Sequence, residues 1–224
     1  LVLRGAGELH LEVACDRLRS DFGVEASLSR PRVALRESVE MTYEQSTDVI
    51  YDATLGGQRL FCGLRLRVTP LADEEAYEAA VPITTNAVDA TPLLREALEE
   101  GLAAAATRGV LRGQALAGVA VEALSLQTDG PATTPGAVRA CAALALADAL
   151  KRAQPVLLEP IVRLEIEAPD RAVGDVLSDL ATARRAKVLD VTSRSNRSVI
   201  IANAPLETLL GYSTALRSLT QGEA

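Results

Sequence analysis

The stretch PVLLEPIVRLEIEAPD, Pro155 to Asp170, decides how this chain divides. It follows an Ala-rich helical pattern, Val138–Ala153, whose last turn carries Lys151 and Arg152, where a helix favours cations. Proline cannot continue a helix, so Pro155 marks its end. Pro160 stands just before IVRLEIEA, which alternates apolar and polar residues as a half-buried strand does. The stretch therefore reads as a seam between two folded pieces and as the entry into a strand.

Downstream of the seam the pattern predicts strand, helix, strand, strand, helix. The strand at IVRLEIEA leads to a helix over Asp170–Arg185 with Val173, Val176, Leu177 and Leu180 inward. A strand over 187–193, a tight RSNR turn and a strand over Ser198–Ala202 follow. Pro205–Leu219 reads as one helix with Leu206, Leu209, Leu210, Leu216 and Leu219 on its apolar side. This βαββα order wants one more strand to complete a ferredoxin-like sheet.

Upstream, residues 7–22 fit a helix with Leu9, Val13 and Leu18 near one face and Gly23 as its stop. VEASL (24–28) alternates as a short strand. One helix and one strand are too little to fold alone, so the chain reads as starting inside a domain. VALRESV (33–39) is a candidate strand. Residues 58–68 alternate clearly, with Leu60, Cys62, Leu64, Leu66 and Val68 on one face and Arg59, Arg65 and Arg67 on the other. Gly56–Gly57 before them is a turn signal. A strand is expected at Tyr77–Val81. Thr91 caps a helix over 93–108, with Pro92 in its first turn and Gly109 closing it. GVAVEALSL (118–126) is a strand, and QTDGPATTPG (127–136) is a turn-rich loop. The fold class is α+β.

Composition narrows the function. Of 224 residues, 48% are hydrophobic but only 3% aromatic, so the cores must be built from Ala, Leu and Val. The longest apolar run falls far short of a membrane span of about 18 residues, and no secretory signal is read at the start. Cys15, Cys62 and Cys141 are odd in number and widely spaced, which suggests buried, reduced thiols rather than a disulfide framework. A single histidine, His10, leaves no Ser–His–Asp or Cys–His arrangement and no His-based metal site. Glu99 and Glu100 are adjacent on a helix and point apart. No catalytic residue and no cofactor are expected in this chain. The net charge is −7, and residues 33–154 account for most of it, with 10 basic against 16 acidic side chains. Bulk charge does not mark a nucleic-acid binder, so any such contact must rest on local clusters.

Five motifs, GAGELHLEV (5–13), GVLRG (109–113), PVLLEPIVRLEIEAP (155–169), GDVLSDL (174–180) and GYSTALRSLTQGEA (211–224), together resemble the C-terminal half of the elongation factor G family. Their order and spacing agree along essentially the whole chain. The resemblance implies the end of domain III at residues 1–31. It implies domain IV, a ribosomal-protein-S5-like fold with a left-handed crossover, at 32–154, and domain V, ferredoxin-like and lacking its last strand, at 155–224. GTP and magnesium would belong to a nucleotide-binding domain upstream, since no GxxxxGK[ST] loop occurs here. The ribosome, through its rRNA and proteins, is the implied partner of a monomer with no membrane association.

In translocating members a domain IV tip loop carries Gly-Ser-Tyr-His. Spacing back from PVLLEP puts that loop at LQTDGPATT, 126–134, with neither Tyr nor His. This is similar to the mitochondrial recycling branch of the family, the ribosome-releasing factor 2 type, as is Ser213-Thr214-Ala215 in the GYST motif. The resemblance therefore implies an arm that helps a GTPase and a ribosome recycling factor disassemble ribosomes after termination, in the mitochondrial matrix or a bacterial cytoplasm. The alternatives are a translocase arm with a divergent tip and a stand-alone ribosome-binding module. Candidate contacts in the tip are Gln127, Thr128, Asp129, Gly130, Thr133 and Thr134, with TTNAVDAT (84–91) as a second tip. The densest basic cluster is Arg184, Arg185 and Lys187, with Arg194 and Arg197 nearby, and it suits phosphate contact as well as a solvated helix end. Arg217 completes the set. Ala186, where the family usually has Gly, makes a left-handed turn there costly.

Overall fold

A computed structural model describes residues 3, 5, 8–25, 29, 32–72 and 74–224, without the side chains of residues 8, 9, 74, 75 and 194. It divides into two compact units, Leu35–Leu158 on the one hand and Leu1–Ala34 with Glu159–Ala224 on the other. The expected strand at 24–28 lies mostly outside the described residues. The first helix, α1, spans Glu8–Phe22. His10 is exposed on it and Cys15 is buried.

Unit Leu35–Leu158 begins with β1 (Arg36–Val39), β2 (Tyr43–Glu44), β3 (Val49–Leu55) and β4 (Gln58–Pro70). Then come β5 (Ile83–Thr84), α2 (Pro92–Ala106), β6 (Val119–Gln127), α3 (Pro135–Arg152) and β7 (Pro155–Leu158). The long strand β4 is the spine. It pairs antiparallel with β3 around the Gly56–Gly57 turn, with β2 further along, and with β6 on its other side. β6 in turn pairs parallel with β5 across the α2 crossover. The alternation read from the sequence is visible in burial: Cys62, Leu64, Leu66 and Val68 are fully buried. They meet Leu98 and Leu102 of α2 and Ala142, Leu146 and Leu150 of α3 in one core. Alanines dominate the inner face of α3, so the helices approach closely; a Cβ on Gly101 would sit 2.9 Å from the Arg139 Cα.

The structure differs from the sequence reading at three places. The strand expected at Tyr77–Val81 is instead a 3-10 turn, Glu74–Tyr77, and only Ile83–Thr84 joins the sheet. The β3 strand was not read from the sequence, because its own alternation is shared between exposed and half-buried residues. Pro155–Leu158 is a strand of this unit rather than of the next. It pairs along its whole length with β1, Arg36 facing Leu158 and Val39 facing Pro155. The division consequently falls after Leu158, beyond the proline that ends the helix.

In the other unit, Glu159–Ala224 has the expected βαββα order: β8 (Ile161–Pro169), α4 (Val173–Thr182), β9 (Lys187–Arg194), β10 (Arg197–Pro205) and α5 (Tyr212–Leu219). The sheet order is β8-β10-β9, all antiparallel. Ile166, Ala168, Ile200 and Ala202 of the sheet pack with Val176 and Leu180 of α4 and with Tyr212. The single helix expected over Pro205–Leu219 is broken. Leu206–Leu209 forms a 3-10 turn, Leu210 is extended, and Gly211 takes φ +73° before α5 starts. Only glycine adopts that conformation cheaply, which is what the glycine of GYST supplies.

Candidate functional site

The tip loop hangs between β6 and α3. Gln127 ends β6, and residues 127–131 are exposed. Gly130–Ala132 forms a 3-10 turn closed by N–H bonds from Ala132 and Thr133 to the carbonyls of Asp129 and Gly130. The Thr133 hydroxyl accepts from the Asp129 N–H at 2.8 Å and is buried. The Thr134 hydroxyl accepts from the Ala137 N–H at 3.2 Å and so caps α3, with Pro135 in the first turn. Of the six candidates in this loop, Gln127, Thr128, Asp129 and Gly130 face solvent, whereas Thr133 and Thr134 hold the loop's own shape. The second candidate tip, residues 84–91, is anchored differently: the Thr85 hydroxyl donates to Glu99 at 2.6 Å, and Arg95 donates to the Val88 carbonyl at 3.0 Å.

The loop's neighbour is the β3–β4 hairpin. Gln127 faces Gly63, whose missing Cβ would lie 2.9 Å from both the Gln127 Cβ and the Ile50 Cδ1. Arg59 reaches from the hairpin to the loop. Its Nε and Nη2 donate to the two oxygens of Asp52 at 3.0 and 2.7 Å, and its Nη1 donates to Asp129 at 2.7 Å. The guanidinium also lies over the Phe61 ring, 5.2 Å from its centroid. Its hydrogen bonds hold the Asp52 carboxyl below the ordinary range. Arg65 and Arg67 are likewise paired, Arg67 with Glu44 at 2.7 Å and Glu122 at 2.6 Å, and Arg65 with Asp48 at 3.6 Å. Three arginines therefore face five carboxylates, and this side of the sheet is no basic patch.

The second candidate cluster lies in the other unit, and the structure does not treat its members alike. Arg184 is mostly buried. It pairs with Asp179 at 3.1 Å, donates to the Thr208 carbonyl at 2.9 Å and lies over the Tyr212 ring at 4.9 Å. It ties α4 to the turn before α5. Burial and the nearby Asp179 carboxylate raise the Tyr212 phenol, and Arg184 works against them. Arg185 grips Glu159 with both Nη atoms, at 3.0 and 2.9 Å. Arg197 donates to the Glu223 carbonyl at 2.9 Å. Lys187, at the start of β9, and Arg217, in the last turn of α5, are exposed. The left-handed residue of the turn is Arg185, at φ +51°, and not Ala186, so the strain falls one position earlier than the sequence reading placed it.

One buried charge escaped the sequence reading. Glu37 on β1 is 1% exposed. Its Oε2 accepts from the Leu111 N–H at 2.7 Å, and its Oε1 accepts from those of Arg112 and Gln114 at 2.8 and 2.9 Å. GVLRG, residues 109–113, is thus a backbone nest folded around a carboxylate. Burial pushes the carboxyl up, but the backbone donors outweigh it and leave the group below its ordinary value. Gly109 is required by space: a Cβ there would lie 2.2 Å from the Glu37 Oε2. The signal was available, since Glu37 shares a strand parity with Leu35 and Val39, an acid on an otherwise apolar face.

Among the described residues no group of His, Cys, Asp or Glu could hold a metal ion, and no helix is long and apolar enough to cross a membrane. Cys62 and Cys141 are buried neighbours in the core: the Cys141 thiol donates to the Cys62 carbonyl at 3.3 Å. Hydrogen bonding to Cys141 and burial push the Cys62 thiol up, and both thiols are fully buried in the core, so they serve as packing groups.

Three family profiles match in order. "Elongation Factor G, domain III" covers residues 1–30, "Elongation factor G, domain IV" residues 31–154, and "Elongation factor G C-terminus" residues 156–224. The chain is 36% identical over 223 residues to elongation factor G of Thermotoga maritima and 38% identical over 224 residues to that of Pseudothermotoga lettingae. Each comparison covers all of this chain and 32% of the relative. A crystal structure of a Thermus thermophilus protein superposes with a TM-score of 0.77 at 35% identity, covering 98% of this chain and 32% of that one. The chain thus spans about a third of the length of the relatives it matches. With its two units, its broken GYST helix and its carboxylate-filled GVLRG nest in place, it belongs to the elongation factor G family, matching in order the family's domain III, domain IV and C-terminus.

Proposed function

We propose that this chain is the ribosome-engaging arm of a translational GTPase, and that its parent protein disassembles ribosomes after termination together with a ribosome recycling factor. The observation that carries the recycling reading is the tip loop. It is short, it is closed on itself by Thr133 and Thr134, and its exposed part offers Gln127, Thr128, Asp129 and Gly130 but no aromatic ring and no imidazole. Such a tip can meet RNA by shape and hydrogen bonding, but it cannot stack on a base. In the C-terminal unit, Lys187, Arg217 and Arg185 are exposed candidates for phosphate contact, Arg185 while gripping Glu159. Arg184 supports them from inside, by holding α4 and the GYST turn together.

GTP and magnesium would act in a nucleotide-binding domain outside this chain. The compartment would be that of the ribosome it serves, a mitochondrial matrix or a bacterial cytoplasm. One observation favours a second reading: the relatives similar along the whole chain bear the name elongation factor G, and a translocase with a divergent tip fits it. The complete parent protein separates the two. Light scattering follows ribosome splitting with GTP and recycling factor, and movement of tRNA and mRNA is measured beside it. Splitting without translocation is expected. Translocation without splitting would overturn the recycling reading in favour of the translocase arm.

A further inference from the structure

The tip loop holds its shape by local bonds, but Asp129 alone gives it an ion pair to the β3–β4 hairpin, through Arg59, among the described residues. Local bonds fix the turn without fixing where the turn points. The hairpin end of Arg59 is firm: it forms a two-bonded fork with Asp52 on the paired strand, and its guanidinium rests over Phe61 on its own strand. The spare Nη1 is left aimed at the loop. Planar, five-donor arginine suits this task, because it can hold two carboxylates at once, whereas a lysine ammonium cannot match the fork. Asp52 and Asp129 would repel each other without the cation between them.

We infer that Arg59 is a positioning residue, a clamp that fuses the β3–β4 hairpin and the 127–134 loop into one rigid tip for docking. The docking part of this inference rests on the proposed ribosome-engaging role; the clamp itself does not. Asp129 is on this account a latch partner of Arg59, rather than a group that meets the ribosome directly.

Two measurements test it. On the 224-residue chain, amide exchange across residues 129–133 is compared for wild type, Arg59→Gln, Asp129→Asn and the double variant, with β4 core amides reporting that the fold is intact. Each single variant is expected to speed loop exchange about two- to fivefold, with the double no faster than either single. Molar salt should bring wild type to the same rate. Unchanged exchange in both singles, or additive effects, would overturn the clamp. Arg59→Lys, which keeps the charge and fold but not the fork, should behave like Arg59→Gln.

In the complete protein, both single variants should raise the concentration giving half-maximal ribosome splitting by a similar factor while leaving the maximal rate unchanged, because a loosened tip must be ordered on binding. A direct phosphate contact by Arg59 would instead weaken Arg59→Gln while leaving Asp129→Asn neutral or improved, and that divergence would overturn the positioning role. A parent that splits no ribosomes defeats the proposed function, and the exchange measurement then decides the clamp by itself.

Discussion

At the scale of single residues, the most consequential side chain is Glu37. A buried carboxylate is costly unless its oxygens are filled, and here three backbone N–H groups fill them within 2.9 Å. Glu37→Gln keeps the shape but turns an NH₂ toward N–H donors. A loss of about 2–4 kcal/mol in the stability of Leu35–Leu158 is expected, read by chemical denaturation. Because the folded carboxyl lies below its ordinary 4.5, its contribution is complete above that pH and is lost as pH falls through the folded value. Wild type should therefore shed stability on acidification in a window that Glu37→Gln lacks; parallel acid titrations of the two would expose the idea as wrong if their slopes coincide. Arg185 is the opposite case, a side chain held at φ +51° for an exposed pair with Glu159. Surface pairs contribute little, while the left-handed backbone costs more. Arg185→Gly should raise stability by about 0.5–1 kcal/mol, seen as a higher melting temperature; a lower one would show that the Glu159 grip matters more.

At the scale of elements, caps and turns decide what the periodicity leaves open. Thr134 fixes where α3 starts and, with Thr133, how the tip loop folds back. Thr134→Ala should cost about 1 kcal/mol and increase exchange in the first turn of α3, with the sheet amides unaffected; spread of the effect to β6 would contradict a local cap. The elements most legible in the sequence were those whose pattern and burial coincide: β4, α2, α3 and the βαββα run. The failures have physical causes. β3 shows half-buried and exposed residues in alternation, too weak a contrast to read. The Pro205–Leu219 helix kept its apolar stripe across a break that only the left-handed Gly211 reveals. That a loop joins β6 and α3 was legible from the turn-rich QTDGPATTPG, but the cation beside it was not. Arg59, Arg65 and Arg67 stand out in the sequence as the polar side of an alternating strand, and only the fold shows that each has acidic partners 7 to 70 residues away in sequence.

At the scale of the whole molecule, the described residues form two apolar clusters, one in Leu35–Leu158 and one in Glu159–Ala224. Leu66 and Leu180 are fully buried, one in each. Leu66→Ala and Leu180→Ala should each remove about 3 kcal/mol from their own cluster, as residue-resolved exchange would report, rather than lowering both together. Uniform loss of protection in either variant would mean a single cooperative unit. The acidity of residues 33–154, which argued against a nucleic-acid surface, is partly absorbed: Asp48, Asp52, Glu44, Glu122 and Asp129 engage the three arginines of β4, and Glu37 is sealed within the GVLRG nest. The sequence supplies those charges but says nothing of their pairing, because the partners are distant in sequence and meet only through the fold.

The two-stranded ribbon of β1 and β7 has one more consequence. Arg36 lies opposite Leu158, so the chain enters and leaves this unit at neighbouring points. A segment whose two ends meet behaves as a cassette. It can be lifted out and its place spanned by a few residues, or set into the surface loop of another protein, without rerouting either chain. The ribbon has to travel with such a graft, because Glu37 on β1 fills the GVLRG nest and Val39 belongs to the unit's core.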